Sequence, residues 1–248
     1  MRALRSALFY LALLAVTPPY ALAALACAPL PPLARNRAIA FWTRIAVALA
    51  RVLLGIRYRV EGAEHLPRRP AVVLAKHQSA YETLAFNQIF PPQVHVLKRE
   101  LLWIPFFGWG LALMSPIAID RARGVRALRQ MARRGRERLA QGFWVIVFPE
   151  GTRVAPGERR RYRLGGAWLA VHAGAPVVPV AHNAGLLWPR KSFLKRPGTV
   201  TFRIGRPIET AGRDPAQVNA EAEEWIEAQQ RELCPANDET DGSKRRTR

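Results

Sequence analysis

Residues 71–82 read AVVLAKHQSAYE and decide the fold. Ala71–Ala75 is an apolar run rich in β-branched residues, which predicts a buried strand, and the pattern from Thr83 to Ile89 predicts a helix directly after it. His77 then lies in a strand-to-helix turn, where side chains project from the end of a sheet into a crevice. The segment therefore predicts a layered α/β domain with polar chemistry at a strand end.

The same alternation continues along the chain. Strands alternating with helical patterns favour an α/β fold, here a mixed, layered sheet flanked by helices. The other predicted strands are Tyr58–Val60, Val94–Leu97, Phe143–Phe148, Val177–Val180 and Thr199–Ile204, and the other predicted helices are Val125–Leu139, Ala167–Ala173 and Ala216–Leu233.

The N-terminal 55 residues have a different character. Ala7–Leu33 is almost continuously apolar, as in a signal peptide, in a lipoprotein leader cleaved before Cys27, or in a membrane helix. A second apolar stretch, Ala38–Leu54, favours a retained two-helix membrane anchor with a turn at Arg35–Arg37. We therefore divide the chain into an anchor (1–55), a catalytic domain (56–234) and a disordered polar tail (235–248).

The net charge and the number of cysteines limit the kinds of ligand, partner and cofactor that this protein can have. The net charge is +20 with an excess of arginine, which favours a phosphorylated ligand, an anionic membrane or nucleic acid. No nucleic-acid-binding motif is present, so a nucleic-acid partner is not expected. With two cysteines, the sequence has neither a disulfide framework nor a CxxC metal site, and we expect no metal or other cofactor.

Two interpretations fit the turn after the first buried strand. His77 could fold back over the helix start so that Glu82 holds one imidazole nitrogen and leaves the other as a general base. Alternatively, Ser79 and Glu82 form a capping box, in which Glu82 bonds a backbone N–H and does no chemistry.

Three further strand ends carry polar residues. Residues 148–153, FPEGTR, could present a charged fork to an anion or could be only a tight turn. Asp120 and Arg121 could pair with each other, or Arg121 could face a phosphate. Pro179 suggests an edge strand or a bulge, and His182 has no carboxylate at a useful spacing, so we interpret it as structural.

Arginine is concentrated in one predicted helix. Residues 121–138 contain eight arginines in eighteen positions. They could form a solvated helix face, or bind anionic lipid headgroups or an acidic protein.

Taken in order, these blocks resemble the glycerolipid acyltransferase family, the PlsC-like 1-acyl-glycerol-3-phosphate acyltransferases. That family carries an N-H-x4-D block, an aromatic-Ile-x-Arg block, an F-P-E-G-T-R block and a V-P-V-type strand. The resemblance spans about Val60 to Arg206, and residues 148–153 match the third block throughout. This chain departs from the family pattern at Lys76 (usually Asn), Glu82 (usually Asp), Ala118 (usually aromatic) and Ser115 (usually Gly).

The resemblance assigns roles to individual residues. It makes His77 the general base and Glu82 its orienting acid. It makes the remaining matched residues binders of the phosphate and glycerol portion of the acceptor: Arg121, Glu150, Gly151, Arg153 and, with a less defined role, Thr152.

The resemblance implies transfer of a fatty acyl group to 1-acyl-glycerol-3-phosphate, giving phosphatidic acid. The implied donor is acyl-CoA or acyl carrier protein. The implied location is the bacterial inner membrane, with the site on its cytoplasmic face. Two alternatives are acylation of another lyso-lipid, such as lyso-ornithine lipid or a different lysophospholipid, and a non-catalytic, membrane-tethered protein that binds anionic lipid or nucleic acid.

Overall fold

The computed structural model describes residues 1–120 and 124–235, so Arg121 and nearly all of the predicted tail lie outside the described residues. Its centre is a seven-stranded sheet in the order β1-β7-β6-β2-β5-β3-β4. The strands are β1 (Ile56–Glu61), β2 (Val72–Ala75), β3 (Gln93–Lys98), β4 (Ile117–Ile119), β5 (Trp144–Val147), β6 (Val177–His182) and β7 (Gly198–Ile204). The helices are α1 (Arg2–Leu25), α2 (Pro32–Leu49), α3 (Tyr81–Ile89), α4 (Phe107–Leu113), α5 (Val125–Ala140), α6 (Gly165–Ala173), α7 (Ala184–Leu187) and α8 (Pro215–Leu233).

The sheet is mixed, as predicted. Strands β6, β2, β5, β3 and β4 are mutually parallel, whereas β7 runs antiparallel to β6 and carries β1 parallel to itself. Strand β2 lies at the centre, and all four of its residues are buried. Because the five parallel strands end at one edge, the turn after β2 and the turn after β5 meet there.

Pro179 is in an interior strand, so the edge-strand expectation is wrong. It lies in β6, opposite Leu74 of β2, while pairing of β6 with β7 begins only at Val180. The carbonyl of Pro179 accepts from Gly205 N–H at 2.9 Å. The missing N–H is tolerated because the antiparallel pairing is irregular here: Val177 pairs with Ile208, and the ladder that begins at Val180 is shifted by one residue. This irregularity fits the bulge that the sequence offered as the alternative.

Helices cover both faces of the sheet. On one face, α1 and α3 contribute Phe9, Tyr81 and Phe86 to a core that also includes Val73 and Val178. On the other face, α5, α6 and α8 pack against Val72, Leu74 and Val145, and residues such as Met131, Leu169 and Ile226 complete that core. The alternation along each strand assigns neighbouring residues to opposite cores, as expected for a sheet buried on both sides.

The N-terminal region forms two helices, but the predicted two-helix anchor needs correction. Among the described residues, α1 alone is long and apolar enough to cross a membrane. Arg35 and Arg37 are not a turn: they lie inside α2, which begins at Pro32, and with Arg44 they interrupt its apolar character. Asn36 of α2 is buried and donates to the backbone of the domain, so α2 packs on the protein rather than forming a second span.

Helix α1 itself has two sides. Phe9 is buried and meets the ring of Trp188 edge-on at 5.2 Å. The opposite side exposes a series of leucines: Leu4, Leu8, Leu11, Leu14 and Leu22. Such a surface is matched by lipid rather than by water.

Candidate active site

The turn between β2 and α3 brings His77 and Glu82 together. His77 Nδ1 lies 2.8 Å from Glu82 Oε1. The imidazole stacks on Phe148 at 4.0 Å with 15° between the rings, and its side chain is 15% exposed. No hydrogen bond within the described residues uses Nε2, so this nitrogen faces the accessible side of the pair.

Glu82 combines the two interpretations that the sequence left open. The same oxygen, Oε1, accepts from His77 Nδ1 and from the backbone N–H groups of Gln78 at 3.0 Å and Ser79 at 2.8 Å. The carboxylate therefore caps the start of α3 and orients the imidazole at once. Its other oxygen, Oε2, is buried without a hydrogen-bond partner in the described part of the chain.

The charge state of Glu82 follows from these contacts. Burial alone raises the pKa of a carboxyl. At Glu82 the hydrogen bonds from His77 and from the Ser79 N–H act against burial, and its pKa is lowered. Glu82 is therefore a carboxylate that can fix the Nδ1–H tautomer of His77 and stabilise an imidazolium.

The turn after β5 holds the backbone of His77. The N–H of His77 donates to Glu150 Oε2 at 2.8 Å, and the C=O of His77 accepts from Val154 N–H at 2.7 Å. Gly151 makes this return possible, because its φ of 71° lies in the left-handed region and its N–H donates to the Phe148 carbonyl. The two sequence blocks, 71 residues or more apart, thus form one rigid unit.

Glu150 is fully buried, so its carboxylate contacts protein rather than the surface. Besides the His77 N–H, it meets Lys76 Nζ, which lies 2.8 Å from Oε1. Burial raises the pKa of Glu150 to about 7, although the Lys76 ammonium and the His77 N–H act in the opposite direction.

Lys76 is a further candidate for a role in this site. In the sequence it stands out only as a departure from the family pattern, where Asn is usual. Its side chain is 1% exposed, and Nζ lies 2.7 Å from Glu227 Oε1 of α8 and 3.1 Å from the Glu158 carbonyl. Tyr162 donates to the same Glu227 oxygen at 2.9 Å. A lysine directly after an apolar strand was the available signal, but its partner Glu227 belongs to a helix 151 residues further along the chain.

Helix α8 also supports the turn through amides. Gln78 Nε2 donates to Gln230 Oε1 at 2.7 Å, and Gln230 in turn donates to the His182 carbonyl at 2.9 Å. His182 Nε2 lies 2.8 Å from the Lys76 carbonyl, and its Nδ1 accepts from Ala184 N–H. Burial lowers the pKa of His182, so it is a neutral structural residue, in line with its interpretation from the sequence.

The remaining predicted ligand-binding residues lie at the rim. Thr152 and Arg153 are partly exposed directly after Gly151. Arg153 lines a cavity with Ala80, Tyr10 of α1, Lys191 and Lys195, which is a cationic environment for an anionic headgroup. Arg121 lies outside the described residues, so its location is not part of this geometry.

A second, apolar cavity lies between the N-terminal helices and the sheet. Tyr20, Trp42, Phe107 and Met114 line it, together with His95, whose pKa burial lowers to about 4. The rings of His95 and Phe148 are stacked with their centroids 5.9 Å apart, and the ring of Phe148 also stacks with that of His77. A hydrocarbon chain in this cavity would therefore end close to the catalytic turn.

Within residues 1–120 and 124–235, no group of three or more His, Cys, Asp or Glu side chains could hold a metal ion. The described geometry offers an imidazole nitrogen without a hydrogen-bond partner, a supporting carboxylate, nearby cations and an apolar cavity. These are the elements of general-base acyl transfer between lipophilic substrates.

Comparison with known proteins agrees with this geometry. The acyltransferase family model matches residues 57–183. The chain is 45% identical over 240 residues to the 1-acyl-sn-glycerol-3-phosphate acyltransferase of Pseudomonas aeruginosa, covering 95% of this chain and 93% of that protein. It is 34% identical over 184 residues to the alpha form from Mus musculus, covering 73% of this chain and 65% of the mouse protein.

The fold agrees as well. The crystal structure of the 1-acyl-sn-glycerophosphate (LPA) acyltransferase PlsC from Thermotoga maritima superposes with a TM-score of 0.77 at 26% identity, covering 94% of this chain and 95% of that one. The mixed α/β fold and the resemblance drawn from the sequence are both confirmed. This chain belongs to the acyltransferase family.

Proposed function

We propose that this chain transfers a fatty acyl group from a thioester to the free hydroxyl of 1-acyl-sn-glycerol-3-phosphate, giving phosphatidic acid. The observation that carries the proposal is the His77–Glu82 pair, held at 2.8 Å in a turn that residues 148–154 clamp from both sides of the His77 backbone. The acceptor is chosen because the relatives from Pseudomonas aeruginosa and Mus musculus carry that activity in their names.

The reaction proceeds by direct transfer. His77 Nε2 takes the proton of the acceptor hydroxyl as its oxygen attacks the thioester carbonyl, forming a tetrahedral intermediate. The intermediate collapses, the C–S bond breaks, and the leaving thiolate takes the proton from the imidazolium. Glu82 stabilises the imidazolium in between, so no acyl-enzyme is needed.

The proposal distinguishes residues that touch the substrate from residues that position the base. Arg121, Thr152 and Arg153 bind the phosphate and glycerol portion, with Gly151 shaping the turn. Glu150 belongs to the same block, but its buried carboxylate acts by holding the His77 backbone and Lys76. We assign it a positioning role in place of the direct acceptor contact that the resemblance implies.

The proposed setting is the inner membrane of a bacterium, with the site on the cytoplasmic face. Residues 1–55 form the lipid-facing part and residues 56–234 the catalytic part. Support for membrane attachment comes from α1, which is long enough to span and exposes its leucines. Both lipid substrates partition into the same layer, which raises their local concentration at the site.

The experiment is acyl transfer by membranes containing wild type, His77→Ala or His172→Ala, with a thioester donor and several lysolipids. His172 is an exposed histidine on α6, outside the site, and serves as the matched control. We expect phosphatidic acid from wild type and control, and a loss of at least ~100-fold in His77→Ala. If wild type acylated only a different lysolipid, that lysolipid would replace 1-acyl-sn-glycerol-3-phosphate as the proposed acceptor. No turnover with any acceptor would overturn the enzyme proposal in favour of a lipid-binding protein.

A further inference from the structure

Helix α5 carries a continuous basic face. Arg126, Arg129, Arg133 and Arg136 follow at spacings of three, four and three residues, which places them on one side of the helix, and all four are exposed. We call this set the arginine face of α5. The opposite side, with Ala127, Met131 and Gly135, is buried against the sheet and α6.

The charges of this face are largely uncompensated. Arg133 meets Glu137, the one acidic residue of α5, in an exposed contact of 3.4 Å, which is a weak pair. Arg136 donates to the carbonyl of His172, which carries no net charge, so this contact does not compensate the charge of the guanidinium. In the described part of the chain, no salt bridge involves Arg126 or Arg129. Such a row repels itself, so it is suited to an acidic partner.

A cavity beside the start of α5 reaches residues next to the candidate site. Gly124 and Leu128, at the start of α5, line a cavity together with Phe148, Gly151 and Arg163. Phe148 is the ring on which His77 stacks. Arg163, which lines this cavity, is exposed and adds a further cation there. A partner docked on α5 could therefore extend a flexible arm through this cavity to the catalytic turn.

The location of α5 argues against the bilayer as its partner. Helix α5 packs in the core on one face of the sheet, whereas α1, with its exposed leucines, packs in the core on the other. When α1 lies in lipid, the sheet separates α5 from that lipid. The arginine face then points to the aqueous side, where a soluble acidic protein can reach it.

The length of the face argues against a small donor as its main ligand. From Arg126 to Arg136 the face extends over ~15 Å at 1.5 Å per residue, and its four separate guanidinium groups suit a partner that presents several acidic side chains in a row. We propose that the arginine face of α5 is the docking surface for an acidic acyl carrier protein, whose phosphopantetheine thioester enters through the cavity beside Phe148 and Gly151. This inference rests on the proposed acyltransferase function.

The test compares two donors with the same acyl chain, acyl carrier protein and CoA, at a fixed concentration of lysophosphatidic acid in mixed micelles. The variant is the triple reversal Arg126→Glu, Arg129→Glu, Arg133→Glu. The control is Arg57→Glu, Arg68→Glu, Arg69→Glu, which makes the same change of charge at three exposed arginines on and after β1.

We expect the α5 variant to raise the KM for the acyl carrier protein thioester by about tenfold or more, with the wild-type value rising steeply with salt. Its KM for acyl-CoA should change less than about twofold, and the control should change neither. Binding to vesicles of phosphatidylcholine and phosphatidylglycerol should be the same in all three proteins.

Three results would overturn the inference while leaving the proposed function intact: an unchanged KM for the carrier-protein thioester, an equal loss with both donors, or wild-type turnover with CoA only. Lost vesicle binding in the α5 variant would reassign the face to anionic lipid. Failure of wild type with both donors would instead remove the proposed function, and the docking surface with it.

Discussion

Glu150 holds His77 by its backbone: Oε2 accepts the His77 N–H at 2.8 Å from the turn that follows a different strand. The two sequence blocks therefore depend on each other for geometry. A general base must keep its nitrogen within hydrogen-bond reach of the acceptor hydroxyl, and a small displacement lowers the rate strongly. In this chain the family's third block thus fixes the backbone of the first.

The charge and the length of Glu82 can be tested separately. Glu82→Gln keeps the size but removes the carboxylate that orients the Nδ1–H tautomer, and we expect kcat to fall by ~10²–10⁴-fold. Glu82→Asp keeps the charge on a side chain one methylene shorter, so the fall should be smaller. Steady-state rates with saturating substrates measure both. Equal rates for wild type and Glu82→Gln would show that Glu82 is only a helix cap.

We expect Lys76 to be required for the stability of the fold, because its ammonium group neutralises two buried carboxylates, those of Glu150 and Glu227. Lys76→Met leaves both without their ammonium, and removing one partner of a buried ion pair costs ~3–5 kcal/mol. Thermal unfolding in detergent measures the loss, with the exposed Lys98→Met as control. Combining Lys76→Met with Glu227→Gln should cost less than the sum of the two changes. Strict additivity would contradict the pairing.

Glu150 predicts a pH dependence of stability. Its pKa is about 7 in the folded protein and ordinarily 4.5, so the folded state holds a proton that the unfolded chain has lost between these values. Its contribution is complete below pH 4.5 and is lost as the pH rises through 7. His95 and His182, with lowered pKa values, contribute the opposite slope at acidic pH.

The difference in the free energy of unfolding between wild type and Glu150→Gln isolates the contribution of the Glu150 carboxyl. We expect the free energy of unfolding of wild type, relative to the variant, to fall by up to ~3 kcal/mol between pH 4.5 and pH 8. Denaturant titrations at several pH values measure it. A difference that is constant with pH would show that Glu150 keeps its ordinary pKa.

Gly135 marks the close contact between α5 and α6. A Cβ there would lie 2.4 Å from Leu169 Cδ1, so Gly135→Ala should destabilise the protein by ~1–3 kcal/mol through overpacking. Gly110 of α4 is the matched control, because a Cβ there meets nothing within 4 Å. Gly110→Ala should be neutral or stabilising. Melting temperatures compare them, and equal values would contradict the close packing.

The sequence by itself determined six of the seven strands, all but β4, most helices and the residues that meet at the turn after β2. Hydrophobic periodicity and β-branched runs are local signals, so β2, α3 and the position of His77 between them follow from residues 71–89 alone. The FPEGTR block is equally local, because its turn depends on a glycine that can adopt a positive φ. The division into an anchor (1–55), a domain (56–234) and a tail (235–248) remains a prediction.

Only the tertiary structure decided which partners these residues have. That Lys76 is buried between Glu150 and Glu227, and that one oxygen of Glu82 both caps α3 and holds His77, depends on contacts between distant segments. The interior position of the strand that contains Pro179 and the position of Arg35 inside α2 were likewise decided by the tertiary structure. Periodicity specifies which side of an element is buried, whereas the order of strands and the packing of helices specify what buries it.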